Sequence, residues 1–230
     1  MVDANQTRNE DEVILIRTAE SLSKAHMDSY EDPSHDWLHV QRVRSMARKL
    51  AANEASAGKE VDMLVVELAA LFHDLHDSKY AKMAQNIWED LNTRFFAEQI
   101  ECGRVSEERA RLVCKICENV SYSKEVKRIN EGKQTKWHDE CIELHCVQDA
   151  DKLDAMGGIG IMRCAAFSAA KKRPLLQEGN PDDSISHFHD KLLKLKGMMR
   201  TKRGAEMAEQ RHATMLAFLA SVSSECEQIA

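Results

Sequence analysis

Residues 61–72, VDMLVVELAALF, constrain the fold of this chain more than any other segment. After Asp62 the only charged residue is Glu67, so a helix formed here has no polar face to turn towards water. Such a helix must be covered by other elements on all sides. We therefore predict that a helix over residues 62–76 lies in the centre of the core.

Helical spacing runs through the rest of the chain as well. Apolar residues recur three and four positions apart in nearly every long segment, and no stretch alternates convincingly with period two. This pattern predicts an all-α fold. Predicted helices cover residues 10–29, 36–53, 62–76, 85–102, 106–119, 140–155, 158–171, 186–198 and 202–227.

The length of the chain favours one domain. With 230 residues, the chain can bury one sizeable core. We expect a single domain over residues 1–230, with its core at about residues 20–175 and a C-terminal helical hairpin at about residues 180–230 packed on it.

The composition limits the kinds of partner that this chain is expected to bind. The 32 basic and 38 acidic residues give a formal charge of -6, which argues against a large nucleic-acid-binding face. The first apolar cluster, Val13 to Ile16, is too short for a signal sequence or a membrane span. We expect a cytoplasmic protein with no membrane partner. A homodimer is compatible with the sequence.

The seven cysteines raise the question of a zinc site. Cys114 and Cys117 form a CxxC pair, and His138, Cys141 and His145 follow at helical spacing. Structural zinc motifs normally place CxxC pairs in loops and add a second matching pair. We therefore favour reduced thiols that act as small buried apolar groups, with zinc as the alternative.

Histidine and aspartate interrupt apolar stripes at three places. His73 and Asp74 end the central helix, His39 occupies a core position of its helix, and Asp151 replaces an apolar residue of a third helix. Each alone is compatible with a histidine bonded to a carbonyl or an acid paired with a cation. Burying a carboxylate or an imidazole without a partner costs several kcal/mol. Three such polar sites in one chain therefore indicate a shared partner. Two imidazoles and two carboxylates suit Mn, Fe, Co, Ni or Zn ions.

The order of these residues matches a known pattern. His39, the adjacent His73 and Asp74, and Asp151 reproduce an H…HD…D arrangement, within the segments HDWLHVQRV, ALFHDLHDSKY, QDADKLDAMGGIGIMRC and HFHDKLLKLKGMMRTKRGAEMAEQR. The chain thereby resembles the HD-domain metal-dependent phosphohydrolase superfamily, and within it the small stand-alone hydrolases of the YpgQ and YedJ type. The resemblance extends from about residue 20 to 220, and implies a helical bundle and metal ligands at these four positions.

The resemblance also implies an activity. The branch contains nucleotide phosphohydrolases, so we expect a metal-activated water to cleave a nucleotide, with a (deoxy)nucleoside triphosphate and pyrophosphate release favoured. One divalent metal is expected, with manganese favoured over Co, Ni, Fe, Zn or Mg. The alternatives are a 5'-nucleotidase or phosphodiesterase, a non-catalytic nucleotide-sensing scaffold, and a two-metal oxygenase, for which further histidines at matching spacing are not found.

Candidate residues for catalysis and substrate binding surround these ligands in sequence. Asp77, one helical turn after Asp74, is predicted to orient or deprotonate the attacking water, and Lys79 to contact a phosphate. His76 has no assigned role. The residues predicted to bind substrate are Arg42, His35, Lys124 and Arg163.

Two further basic features have alternative interpretations. Lys152 points about 100 degrees away from Asp151 on a helix, so we expect it to face solvent. The basic run from Lys191 to Arg203 is compatible with a solvated helix face, a nucleotide entrance or a nucleic-acid contact.

Overall fold

Every regular element in the described part of the chain is a helix, so the all-α prediction is confirmed. The computed structural model describes residues 9–29, 34–75, 86–177 and 179–228. Within these ranges no helix is both long enough and apolar enough to cross a membrane. The helices are α1 (Glu10–Met27), α2 (Trp37–Ser56), α3 (Met63–Phe72), α4 (Ile87–Leu91), α5 (Ala97–Glu101), α6 (Glu107–Val120), α7 (Tyr122–Asn130), α8 (Lys136–Glu140), α9 (Ile142–Asp154), α10 (Gly157–Ala170), α11 (Ser184–Asp190) and α12 (Lys202–Glu227).

Helix α3 lies at the centre of the core, as its apolar sequence predicts. The Asp62 side chain caps it by accepting hydrogen bonds from the backbone of Leu64 and Val65. Every residue from Val65 to Phe72 is buried, and α1, α2, α6 and α9 pack around the helix. Its one charged residue, Glu67, is ion-paired with Arg44 at 2.6 Å, which compensates the loss of water around the carboxylate.

Helix α9 is a second central element, although it carries four charged residues near its C-terminal end. It packs against α2, α3 and α6, and eleven of its thirteen residues are buried. Asp149, Lys152 and Asp154 are at most 4% exposed. Since buried charges require partners, the contacts of these residues fix how α9 sits in the domain.

Several predicted boundaries were wrong. Helices α7 and α8 were not predicted, because α7 is rich in charged residues, and α8 has only five residues and begins within the segment NEGKQTKWHD, which the sequence predicts to be a loop. The predicted helix over residues 186–198 is divided at Lys191, where the backbone leaves the helical region (φ -132°, ψ -60°). It continues as a 3-10 helix, Leu192–Met198. The predicted helix over residues 85–102 consists of α4 and α5 joined by a π-helical turn, Asn92–Phe96.

The carboxylate of Asp149 holds the start of the C-terminal helix α12. It accepts hydrogen bonds from the Arg200 backbone at 2.9 Å and from the backbone and hydroxyl of Thr201, both at 2.7 Å. Thr201 in turn caps α12 through Gly204. Asp149 is fully buried, so these donors replace the water that the carboxylate loses on folding. Helix α12 also packs on α10.

Substitution of Gly204 by alanine tests this anchor. A Cβ atom at this position would lie 2.4 Å from Asp149 Oδ2 and 2.6 Å from Thr201 Oγ1, which would force the hydrogen-bonded group apart. Alanine favours a helix over glycine by about 1 kcal/mol, but displacing hydrogen bonds to a buried carboxylate costs roughly 1.5–3 kcal/mol each. We expect Gly204→Ala to lower the free energy of unfolding by about 2 kcal/mol, measured by urea denaturation.

The matched control is Gly197→Ala. A Cβ atom at Gly197 has no neighbour within 4 Å, so its stability should change by no more than about 0.5 kcal/mol. Equal stabilities of the two variants would contradict the role given to Asp149.

Candidate metal centre

Three helices bring four predicted metal ligands to one point. His39 belongs to α2, His73 and Asp74 follow the end of α3, and Asp151 belongs to α9. The Nε2 atoms of His39 and His73 are 3.2 Å apart, and each lies 3.3 Å from Asp74 Oδ2. Asp151 Oδ1 lies 3.6 Å from His39 Nε2 and 3.9 Å from His73 Nε2. All four donor atoms thus face a common space.

The spacing and chemistry of these donors fit a divalent cation. Ligands about 2.0–2.2 Å from a metal are separated by roughly 3 Å or slightly more at tetrahedral or right angles. The separations among His39, His73 and Asp74, 3.2–3.3 Å, are in this range, and Asp151 lies slightly farther out. Asp74 Oδ2 is buried and has no hydrogen-bond partner among the described residues. A buried carboxylate oxygen without a donor requires compensation, which a cation among these donors would supply.

Both imidazole rings are held by the nitrogen that faces away from the site. His73 Nδ1 donates to the Ala70 carbonyl at 2.8 Å, and His39 Nδ1 donates to Asp154 Oδ2 at 2.8 Å. Each contact fixes the ring orientation and leaves Nε2 as the atom available to a metal. The side chains of both histidines are 1% exposed, so the rings form the floor of the site.

Asp154 was missed as a functional residue at the sequence level. Besides His39, it accepts two hydrogen bonds from Arg42, at 2.7 and 3.0 Å, and is ion-paired with Arg163 at 3.2 Å. Burial opposes ionisation, but hydrogen bonds from His39 and Arg42 lower the pKa of Asp154 well below its usual range. A signal was present in the sequence, since Asp154 lies three residues after Asp151 on the same helical face.

His73 and Asp74, at the end of α3, shift each other's pKa. Burial disfavours the charged form of His73, but the Asp74 carboxylate outweighs it and raises the pKa of His73 to about 9. Burial also opposes ionisation of Asp74, and the charge of His73 nevertheless lowers the pKa of Asp74 well below its usual range. Surroundings that favour a proton on this ring also favour a cation in its place.

A pocket opens above these ligands, and three of the predicted substrate-binding residues line it. We call it the metal pocket. His73, Asp74 and Asp151 form its floor. Its walls carry the basic or titratable side chains of His35, Lys124, Lys152, Arg163 and Lys191. Arg42, also predicted to bind substrate, lies instead at a separate cavity with Asp154 and Arg211.

The expectation that Lys152 faces solvent was wrong. Lys152 is 2% exposed, and its Nζ atom lies 2.6 Å from Glu125 Oε2. Glu125, on α7, is fully buried and is also paired with Arg200 at 3.1 Å. Local spacing placed Lys152 correctly relative to Asp151 but gave no sign of a buried carboxylate opposite it.

Asp77, Lys79 and His76 lie outside the described residues. The structure does not favour the alternative zinc site, because His145 Nε2 donates to the His138 carbonyl at 2.8 Å. Within the described ranges, the group of three or more His, Cys, Asp and Glu donors close enough for a metal is His39, His73 and Asp74.

The fold and the site together define a class of protein. A helical bundle in which a His–Asp pair ends a central helix, with a histidine and an aspartate from two flanking helices, is a metal-binding domain of the HD type. The HD domain family matches residues 37–156. The chain belongs to the HD domain family.

Comparison with individual relatives gives the same assignment. The chain is 35% identical over 195 residues to the Bacillus subtilis protein YpgQ, covering 85% of this chain and 86% of that protein. The crystal structure of YpgQ in complex with ADP is similar over 94% of this chain and 96% of that chain, with a TM-score of 0.70 and 29% identity. An HD-superfamily hydrolase from Bacillus thuringiensis is 31% identical and covers 94% of this chain and 98% of its own, with a TM-score of 0.69.

Family membership has a chemical consequence. HD domains bind a divalent metal, and the His–His–Asp group described above is present in this chain. The assignment therefore supports a metal-dependent phosphohydrolase in general.

The contact between Asp154 and His39 can be tested by metal binding. Asp154→Asn removes the negative charge that holds the His39 ring, and loss of such an outer partner lowers metal affinity roughly 10- to 100-fold. We expect weakening in this range for Mn²⁺, measured by titration calorimetry on protein whose folding is verified by circular dichroism.

Asp182→Asn provides the control, because Asp182 is exposed and lies outside the site. Its metal affinity should equal that of the wild type. An unchanged affinity in Asp154→Asn would show that Asp154 does not position His39.

Proposed function

We propose that this protein is a metal-dependent nucleotide phosphohydrolase that cleaves a (deoxy)nucleoside triphosphate and releases pyrophosphate. One observation carries the proposal: the four proposed metal ligands converge, and three of them, His73, Asp74 and Asp151, line the floor of a pocket whose walls are basic. A polyphosphate requires both features, since its negative oxygens must be neutralised while water attacks phosphorus.

In this proposal His39, His73, Asp74 and Asp151 hold one divalent cation, with manganese favoured. A bound cation would supply Lewis acidity and lower the pKa of water towards neutrality. The chain's own contribution is to fix the donors. The rings are locked from behind by Asp154 and the Ala70 carbonyl, while the side chains of Asp74 and Asp151, 18% and 27% exposed, face the pocket.

The basic side chains of the metal pocket are proposed to bind the phosphates. Lys124 is exposed on α7, and Arg163 is held between Asp154 and the Ser34 carbonyl, with its Nε atom 2.9 Å from that oxygen. A guanidinium held in place by two partners loses less freedom when it contacts a phosphate. His35 and Lys191 complete this set.

Asp77 and Lys79 retain their proposed roles on the basis of sequence. Asp77 is proposed to orient or deprotonate the attacking water, and Lys79 to contact a phosphate. Hydrolysis then adds water to the α-phosphorus, breaks the bond to the pyrophosphate group and releases a nucleoside monophosphate.

A structure of one relative favours nucleotides as substrates. YpgQ has been crystallised with ADP, and its fold covers 94% of this chain. The formal charge of -6 favours a small nucleotide over a nucleic acid, because polymer binding normally uses an extended basic face.

The test is a screen of nucleoside triphosphates against Mn, Co, Ni, Mg and Zn ions, with products resolved as phosphate, pyrophosphate or monophosphate. We expect pyrophosphate and monophosphate in equal amounts. His39→Ala and Asp151→Ala should each reduce kcat/KM by more than about a hundredfold, because each removes a proposed metal ligand.

His189→Ala is the matched control, because His189 is exposed at the end of α11. Full activity in either ligand variant would contradict the proposal. Phosphate as the first product would indicate cleavage of the terminal phosphoanhydride bond and a nucleoside diphosphate as the second product, and tight nucleotide binding without turnover across the panel would indicate a sensing protein.

A further inference from the structure

A second cavity adjoins the metal pocket and shares part of its wall. We call it the side groove. It has a volume of about 310 Å³, within the range of small-molecule sites. His35, Arg163 and Lys191 line both the metal pocket and the side groove. A ligand whose phosphates lie over the metal ligands can therefore continue into the side groove without crossing a barrier of protein.

The far wall of the side groove is aromatic. The rings of Phe167, on α10, and His187, on α11, are near parallel, with an interplanar angle of 27° and centroids 6.2 Å apart. The Arg173 guanidinium lies 5.5 Å from the Phe167 ring centroid. Phe167 is only partly buried and is not part of the hydrophobic core. Packing of the core therefore does not account for an aromatic side chain at this position.

The aromatic wall is close to the metal ligands. The His35 ring centroid is 5.9 Å from that of His39 and 6.3 Å from that of Phe167. Two successive ring contacts thus connect a metal ligand with the aromatic wall. One nucleotide can span this distance with its phosphates at the metal pocket and its base at Phe167.

We propose that the side groove is the base-binding subsite, in which Phe167 and His187 stack on the nucleobase. This inference rests on the proposed function, since it assigns the part of the substrate that the metal pocket leaves unbound. Stacking recognises the flat face of any base, so the subsite selects substrates that carry a base without fixing which one. Inorganic polyphosphate has no group to occupy it.

Two substrates distinguish binding of the base from hydrolysis of the phosphates. The Mn²⁺-loaded protein is assayed with ATP and with inorganic tripolyphosphate. Phe167→Ala should raise KM for ATP about tenfold, the usual scale for loss of one base–aromatic contact, and leave the kinetics with tripolyphosphate unchanged. Phe167→Tyr keeps the ring and should restore KM for ATP.

Phe218→Ala is the matched control, because Phe218 lines neither the metal pocket nor the side groove, and its ring contacts Phe188 instead. It should leave KM unchanged for both substrates. Equal effects of Phe167→Ala on ATP and tripolyphosphate, or no effect on ATP, would overturn the proposal.

Failure of the proposed function gives a different result. If the wild type does not hydrolyse both substrates, the subsite is tested by calorimetry with ADP and pyrophosphate. Weaker binding of ADP, but not of pyrophosphate, by Phe167→Ala supports the base subsite. Equal binding of ADP by wild type and variant, or no binding of ADP by the wild type, overturns it.

Discussion

The buried carboxylate of Asp154 is the contact on which the metal centre depends. It joins His39 of α2, Arg42 of the same helix and Arg163 of α10 to the end of α9. Hydrogen bonds from His39 and Arg42 and the charge of Arg163 keep the carboxylate ionised in a buried setting, and Nδ1 of His39 donates to it. Because Nε2 then points into the site, one ion-paired group fixes both the position and the tautomer of a proposed ligand.

Other buried charged residues of helix α9 also have specific partners on neighbouring elements. Asp149 is bonded to the start of α12, Lys152 to Glu125 of α7, and Asp154 to α2 and α10. Each buried charge needs a specific partner, and removing one partner leaves the other unpaired at a cost of about 3–5 kcal/mol. Asp151, whose side chain is 27% exposed, is the acid of this group that faces the metal pocket. The neighbouring ion pairs and hydrogen bonds therefore fix the position of Asp151 at the metal pocket.

The fold class and the four proposed ligands could be predicted from the sequence because both depend on local periodicity. The apolar run into His73 and the core position of His39 are visible without knowledge of distant residues. The partners of Asp154 and Lys152 lie 112 and 27 positions away, at Arg42 and Glu125, and periodicity carries no information on such pairing. Helix α7 was missed because its main buried residue, Glu125, is charged.

The bond between Asp149 and Thr201 spans 52 positions of the chain and has a consequence during synthesis. A nascent chain that has emerged only as far as α10 already contains every proposed metal ligand, yet the carboxylate of Asp149 still lacks its donors. Domains complete their folding once the segments that satisfy their buried groups are available. Helix α9 should therefore reach its final position only after the ribosome has released the start of α12, which makes the metal centre one of the last parts of this protein to mature.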